Sequence, residues 1–333
     1  MVVGKYVIKR IIYIIMVLFL VSFIIFMLFR TMPGDPIETF LPLEMQLTMQ
    51  PAELELARAE IIETMGLDRN HVVQYFYWLA AIFRGEFGIS METRQPVLDH
   101  IRAPMANTIV MNIFNLIIVF AITIPVGIYS AIKRGKLFDN VALVSSMIGL
   151  SIPGFLFGLI LIVFLVIVPP WSVFPMFGMA SVMPPPEGTL AWYLDRLRFM
   201  ALPLITLVLM SLAGLIRFIR SAMIDALNMD CVRTARAKGL AEKTVIYTHA
   251  FRNALIPIIT IMAGFFVGIF GGALAIEATF QWQGMGLIMI NALNRQDIAV
   301  LMTMNVFYAL IAFVSILVLD IVYVLVDPRI RFE

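Results

Sequence analysis

The stretch Ile298-Ala-Val-Leu-Met-Thr-Met-Asn-Val-Phe-Tyr-Ala-Leu-Ile-Ala-Phe-Val-Ser-Ile-Leu-Val-Leu319 holds 22 residues and no Asp, Glu, Lys or Arg. As an α-helix rising about 1.5 Å per residue it reaches roughly 33 Å, enough to cross the hydrocarbon core of a bilayer. Five further stretches are long and apolar: Ile11–Phe29, Ala103–Ile132, Asn140–Leu194, Phe199–Ile216 and Asn253–Ile276. The third contains one long apolar run, Val141–Val168, which breaks at Pro169-Pro170-Trp171. Inside hydrocarbon a single segment satisfies its own N–H and C=O groups only as a helix. The expected fold class is therefore all-α, a polytopic membrane protein with six transmembrane helices.

Composition agrees. Hydrophobic residues make up 61% of the 333 and charged residues 14%, with a mean hydropathy of +0.96. Soluble domains sit near half apolar and about a quarter charged, so this excess is too large for one buried core. A net charge of +2 excludes reading the whole chain as a nucleic-acid binder. A single cysteine, Cys231, excludes an internal disulfide framework, and His71, His100 and His249 have no metal-ligand spacing.

The first apolar stretch follows Lys5, Lys9 and Arg10, as a signal peptide's would. Its core of 19 residues is long for one, and Phe29-Arg30-Thr31-Met32-Pro33 offers no small-residue cleavage site. A retained first helix is expected. If the N-terminus is cytoplasmic, the inside segments carry 15 of the 24 basic residues. These include Lys133, Arg134 and Lys136, and Arg217, Arg220, Arg233, Arg236, Lys238, Lys243 and Arg252. By the positive-inside rule both termini are then cytoplasmic. The expected organisation is 1–30, a cytoplasmic tail and first transmembrane helix; 31–104, an extracytoplasmic segment; and 105–333, a five-helix core with a cytoplasmic loop 217–252. In the outer segment Pro51 opens a helical pattern that closes at Gly66. Asn70 is placed to cap a second helix bearing the stripe Tyr75, Phe76, Trp78, Leu79 and Phe83. That segment reads as a small cap on the membrane face, and equally as a docking surface for an external delivery protein.

Catalytic patterns are missing. Gly135-Lys136 runs into Leu137 and lacks the upstream glycine of a P-loop. No zinc-protease or nucleophile-elbow motif occurs, nor paired intramembrane carboxylates. Asp320 is the one ionisable residue that sequence places well inside a span, and structural pairing at the interface suits it better than a proton relay. The expectation is a non-catalytic chain with no cofactor, no metal and no nucleic-acid partner.

The loop between the fourth and fifth spans is the most informative. Asp230 suits a helix N-cap and Gly239 a C′ position. Eight residues lie between them, about 12 Å of helix, in which Arg233, Arg236 and Lys238 alternate with Ala235 and Ala237. Such a short cationic helix fits a groove on a cytoplasmic partner, and equally the surface of anionic lipid.

Arg233-Thr-Ala-Arg-Ala-Lys-Gly239-Leu240, continuing to His249-Ala-Phe-Arg-Asn253-Ala-Leu-Ile-Pro257, resembles the cytoplasmic motif of ABC importer permeases in its peptide-type version. Arg233 stands at the motif's Glu and Thr234 at its first Ala, with Ala235 and Gly239 in place. Other segments resemble the same dipeptide/oligopeptide branch, in its B-type permease. They are Ser22-Phe-Ile-Ile-Phe with Met32-Pro33-Gly34-Asp35-Pro36; Gly66-Leu-Asp68 and Gln74-Tyr75; Gly85-Glu-Phe-Gly-Ile-Ser90; Ser151-Ile-Pro153-Gly-Phe155; Glu277 with Gln281-Trp282-Gln283-Gly284-Met-Gly286; and Asp320, Tyr323 and Asp327-Pro-Arg-Ile-Arg331. The resemblance covers essentially the whole chain. It implies the type I importer architecture in a prokaryotic inner membrane, importing peptides delivered by an extracytoplasmic binding protein. It also implies a second homologous permease and two cytoplasmic ATPases that grip the helix Arg233, Thr234, Ala235, Arg236, Ala237, Lys238, Gly239 and Leu240. Oligosaccharides or nickel chelates are alternative cargoes of the same class, and a stand-alone secondary transporter is the different-class alternative. Gly264, Gly268 and Gly272 are spaced for close helix contact, and Pro153 and Pro257 for bends.

Overall fold

A computed structural model describes residues 2–30, 37, 41, 43–65, 67–90, 92–169 and 173–326. Met32–Pro36, Gly66, Pro170, Trp171 and Asp327–Arg331, and the side chains of Asp320 and Tyr323, lie outside the described part. Helix α1 (Val2–Arg30) carries the first apolar stretch. It is followed by α2 (Leu43–Thr48), α3 (Pro51–Met65) and α4 (His71–Phe83). Then come α5 (Val97–Ile132), α6 (Leu137–Ser151) and α7 (Gly154–Ile162), which winds on as a π-helical turn over Val163–Ile167. Next are α8 (Leu190–Leu227), α9 (Asp230–Ala237) and α10 (Glu242–Thr244), which runs through π-helical Val245–Ala250 into α11 (Phe251–Gly268). The last three are α12 (Leu274–Phe280), α13 (Met285–Arg295) and α14 (Ile298–Val326). Among the described residues no strand forms, only an isolated bridge between Ile89 and Pro96.

Among the described residues five helices are long and apolar enough to cross a bilayer, and six if α6 and α7 together form one crossing. That pair meets at 101°, and the break falls at Pro153, where a bend was expected. The cause is local. Proline removes a helical N–H and disfavours the helical conformation at the residue before it, and Ile152 is extended at φ −94, ψ 124. The fifth stretch differs from expectation. Helical structure starts earlier, at Glu242, and α11 stops at Gly268 before a break that precedes α12. Pro257 lies inside α11 without ending it. The anticipated loop 217–252 is mostly helix, because α8 continues to Leu227, leaving the 228–241 hairpin between the two crossings.

The chain divides into two compact units. One comprises Met1–Ala106 and Gly284–Leu317 among its described parts. In it Asn70 caps α4 as expected, accepting from the Val73 N–H at 3.0 Å. The stripe on α4 is only partly a packing face: Tyr75 is fully buried, whereas Phe76 and Phe83 are exposed. Tyr75 meets Phe19, Phe23 and Phe26 of α1 edge-on with ring centroids 5.4, 5.1 and 5.7 Å apart. Its hydroxyl shares a 2.8 Å hydrogen bond with Ser22. Aromatic pairs of this geometry add about 0.5–1.5 kcal/mol beyond area burial, and the satisfied hydroxyl removes the cost of burying it. Elsewhere in this unit Asp297 is buried at the start of α14, accepting from the Val300 N–H at 3.2 Å and from Ser90 Oγ at 2.9 Å.

The other unit, within Asn107–Gln283 and Val318–Arg331, is organised on α8. Helices α6, α7, α11 and α12 pack against it, and α7 also meets α12. The tightest approach is at Gly127 on α5, where a Cβ would stand 2.7 Å from Ile219 Cγ2 of α8. Gly264 and Gly268 behave differently: a Cβ at either would meet nothing within 4 Å, and Gly272 falls beyond α11. The close contact expected of that spacing is not made among the described residues.

Candidate functional site

The cationic helix exists, with its boundary shifted by one residue. Met229 occupies the N-cap position without a side-chain hydrogen bond, and Asp230 is the first helical residue. There its carboxylate lies in the first turn, a favourable place for negative charge, and stands 3.6 Å from Arg233 Nη1. The other end is as expected. Gly239 adopts φ +75, its N–H donates to the Arg236 carbonyl at 2.9 Å, and the Leu240 N–H donates to the Ala235 carbonyl at 3.3 Å. This pair of bonds is a Schellman closure, and glycine meets the left-handed geometry without steric cost.

The two faces of α9 have different tasks. Val232 and Ala235 are buried in a cluster with Ile128 of α5, Ile219 and Met223 of α8, Val245 and Ile246 of the π-helical stretch, and Ala254 of α11. Arg233, Thr234, Arg236, Ala237, Lys238, Gly239 and Leu240 are exposed. Seven of the eight anticipated contact residues therefore face outward, and Ala235 is the seat of the helix. Arg236 is not a free cation: its Nη2 and Nε donate to Glu242 at 2.7 and 3.3 Å. Those bonds raise the pKa of the guanidinium above its ordinary value. Asn253, which the sequence singled out only as part of a motif, joins α9 to the helix below. Its Nδ2 donates to the His249 carbonyl at 2.7 Å and contacts Cys231 Sγ at 3.7 Å.

A second constellation was not anticipated. Between α11 and α12 the backbone is irregular, and non-helical backbone in a membrane protein must be satisfied by other protein groups or line a cavity. Asn112 of α5 supplies the donor: its Nδ2 reaches the carbonyls of Gly268, Ile269 and Gly271 at 3.1, 3.0 and 3.1 Å. One turn earlier Thr108 donates to Glu277 Oε1 at 3.1 Å, and the Ala273 N–H reaches the same oxygen at 3.2 Å. Asn107 donates to the Gln283 carbonyl at 2.8 Å. Glu277 is fully buried, so Asp320 is not the sole ionisable residue of note. A signal existed in the polar residues Asn107, Thr108 and Asn112 within a largely apolar stretch, but their partners lie some 160 residues away in sequence.

This arrangement makes a direct test. Asn112→Leu removes the side-chain donor of the Ile269 and Gly271 carbonyls, while the Gly268 carbonyl keeps the Gly271 N–H at 3.1 Å; an unsatisfied buried polar group costs about 1–3 kcal/mol. The expected result is a clearly lowered melting temperature in detergent, with Asn112→Gln intermediate. An unchanged melting temperature for Asn112→Leu would show that the three bonds do not hold the segment.

Comparison with known proteins covers almost the whole chain. Residues 123–332 match the family model described as binding-protein-dependent transport system inner membrane component. Residues 3–112 match the N-terminal model of the same membrane component. The oligopeptide transport system permease protein AppB of Bacillus subtilis is 36% identical over 330 residues, covering 99% of this chain and all of the relative. The dipeptide transport system permease protein DppB of Escherichia coli K12 is 32% identical over 330 residues, 94% of each chain. The glutathione transport system permease protein GsiC of an Escherichia coli O1:K1 strain is 30% identical over 329 residues, 99% of each.

Proposed function

Because the chain belongs to the family of binding-protein-dependent transport system inner membrane components, we propose that it is one permease half of an ATP-driven importer of di- and oligopeptides. In this reading an extracytoplasmic binding protein delivers the peptide, a second homologous permease completes the path, and two separate ATPases supply the energy. The relatives' names support peptide cargo, since oligopeptide, dipeptide and the tripeptide glutathione share a backbone with charged ends. Lysine and arginine distribution supports cytoplasmic termini, which puts the 228–241 hairpin on the ATPase side, residues 31–104 outside, and 105–333 in the permease core.

The observation that carries the proposal is the two-faced helix α9. Its outer face, Arg233, Thr234, Arg236, Ala237, Lys238, Gly239 and Leu240, is free for an ATPase groove. Its inner face, Val232 and Ala235, is packed against three spans and the π-helical stretch. A push on the outer face then moves a close-packed body rather than a loose loop, because close-packed interiors transmit displacement. The break at Ile152-Pro153 and the clamped α11–α12 segment interrupt the helices among the described residues, and in this reading they are the points for alternating access.

The test is co-purification and uptake. Tagged chain, expressed with its neighbouring subunits, is expected to retain an ATPase subunit and to support ATP-dependent accumulation of labelled peptides. Oligosaccharides and nickel chelates serve as the comparison cargoes. Absence of any ATPase partner, together with uptake that survives ATP depletion, overturns the importer reading. ATP-dependent uptake of an oligosaccharide or nickel chelate instead of peptide overturns only the cargo.

A further inference from the structure

We propose that the groove between α6 and α8 is a binding site for an anionic phospholipid, with Arg217 as the headgroup ligand. The groove encloses about 440 Å³. Arg217, Arg220 and Ser221 are its polar lining, and Leu143, Met147 and Leu150 of α6 with Gly214 and Phe218 of α8 are the rest. The helices run antiparallel there, as the Asp139–Arg220 ion pair and the Gly149–Ala213 contact fix. Polarity therefore changes along the groove from a charged end to an apolar end, in the direction a lipid lies.

Charge selects the occupant. Arg220 is already neutralised, its guanidinium donating twice to Asp139 at 2.5 and 2.8 Å. Arg217 is exposed, and among the described residues it has no hydrogen-bond or ion-pair partner. It directly follows the apolar stretch that ends at Ile216, which sets it at the depth where phosphates begin. A guanidinium there gains from a phosphodiester through paired, charge-assisted N–H···O bonds, and the Ser221 hydroxyl adds a donor at the same end. Gly214, one turn towards the apolar end, leaves room for the acyl chain, since a Cβ there would meet nothing within 4 Å. From Leu143 to Leu150 the apolar wall extends about 10 Å along α6. The whole site lies within one unit, and it depends on the membrane placement of the chain but not on its cargo.

The experiment uses the full importer complex in nanodiscs of phosphatidylcholine mixed with an equal amount of phosphatidylglycerol, with native mass spectrometry counting the lipids retained after release. The wild type is expected to retain phosphatidylglycerol over phosphatidylcholine. Arg217→Gln is expected to reduce that retention at least several-fold, as is Gly214→Leu, which fills the acyl path without touching charge. Arg134→Gln, an exposed basic residue outside the groove, is expected to change nothing. Equal phosphatidylglycerol retention by Arg217→Gln and wild type overturns the site. So does efficient crosslinking of an S221C variant (with Cys231→Ser) to the second permease, which would give the groove to a protein partner.

Discussion

Gly239→Pro is expected to reduce substrate uptake at least tenfold while the chain remains inserted and the complex continues to hydrolyse ATP. Gly239 sits at φ +75, and proline is locked near −65°. The substitution also deletes the N–H that closes onto the Arg236 carbonyl at 2.9 Å. Both effects unwind the C-terminal end of α9 and misdirect Lys238 and Leu240, which belong to the face proposed to meet the ATPase. Volume is not the issue, because the space around the Gly239 Cα is open. Gly239→Asn, which tolerates left-handed backbone, is therefore expected to keep most of the transport. Uptake by Gly239→Pro at the wild-type rate would remove α9 from the coupling path. Ala235→Glu is expected to fail for another reason: Ala235 is buried, so a carboxylate there enters an apolar cluster without a partner and unseats the helix.

The second large effect is on stability. Asp139 and Arg220 join α6 to α8 through a twofold contact, and Asp139 also accepts the Gly135 N–H at 2.8 Å. The Asp139 side chain is 1% exposed and that of Arg220 18%. Removing one member of a buried pair strands the other charge and costs about 3–5 kcal/mol; the residual exposure of Arg220 puts the expectation near the lower end. Asp139→Leu should therefore lower the melting temperature in detergent by many degrees. The double substitution Asp139→Leu with Arg220→Met should recover most of the loss, since an apolar pair of similar volume carries no desolvation cost. If the single and double variants melt alike, the pair is not what holds α6 to α8.

Much of the helical content was legible because hydrocarbon leaves a chain no other way to satisfy its backbone, so apolar length alone predicts a helix. Two caps were legible for a similar reason, being settled within four residues, whereas Asp230, expected as an N-cap, is the first helical residue. Asn70 supplies an acceptor three residues from its donor, and Gly239 is the residue type that a left-handed closure requires. The family resemblance rested on short motifs spread over the chain, and the matches at 30–36% identity bear it out.

Other features had no local signature. Asp139 directly precedes the apolar stretch that begins at Asn140, and its partner lies 81 residues on. Glu277 is bonded across 169 residues and Asp297 across 207. Pro153 announced the bend between α6 and α7, but nothing local announced the packing beyond it. There Gly158 admits the Phe280 ring so closely that a Cβ would stand 2.9 Å from it.

By itself, then, the amino-acid order determined that this is a helical membrane protein of a binding-protein-dependent transport system family, with a short basic helix closed at Gly239. Those conclusions depend on local hydropathy, local capping and motif identity. Tertiary structure alone decided which face of that helix is available, which spans are broken, and how the buried carboxylates are satisfied. Each of those is set by groups brought together from distant parts of the chain, and burial leaves a polar atom no partner except what the fold delivers.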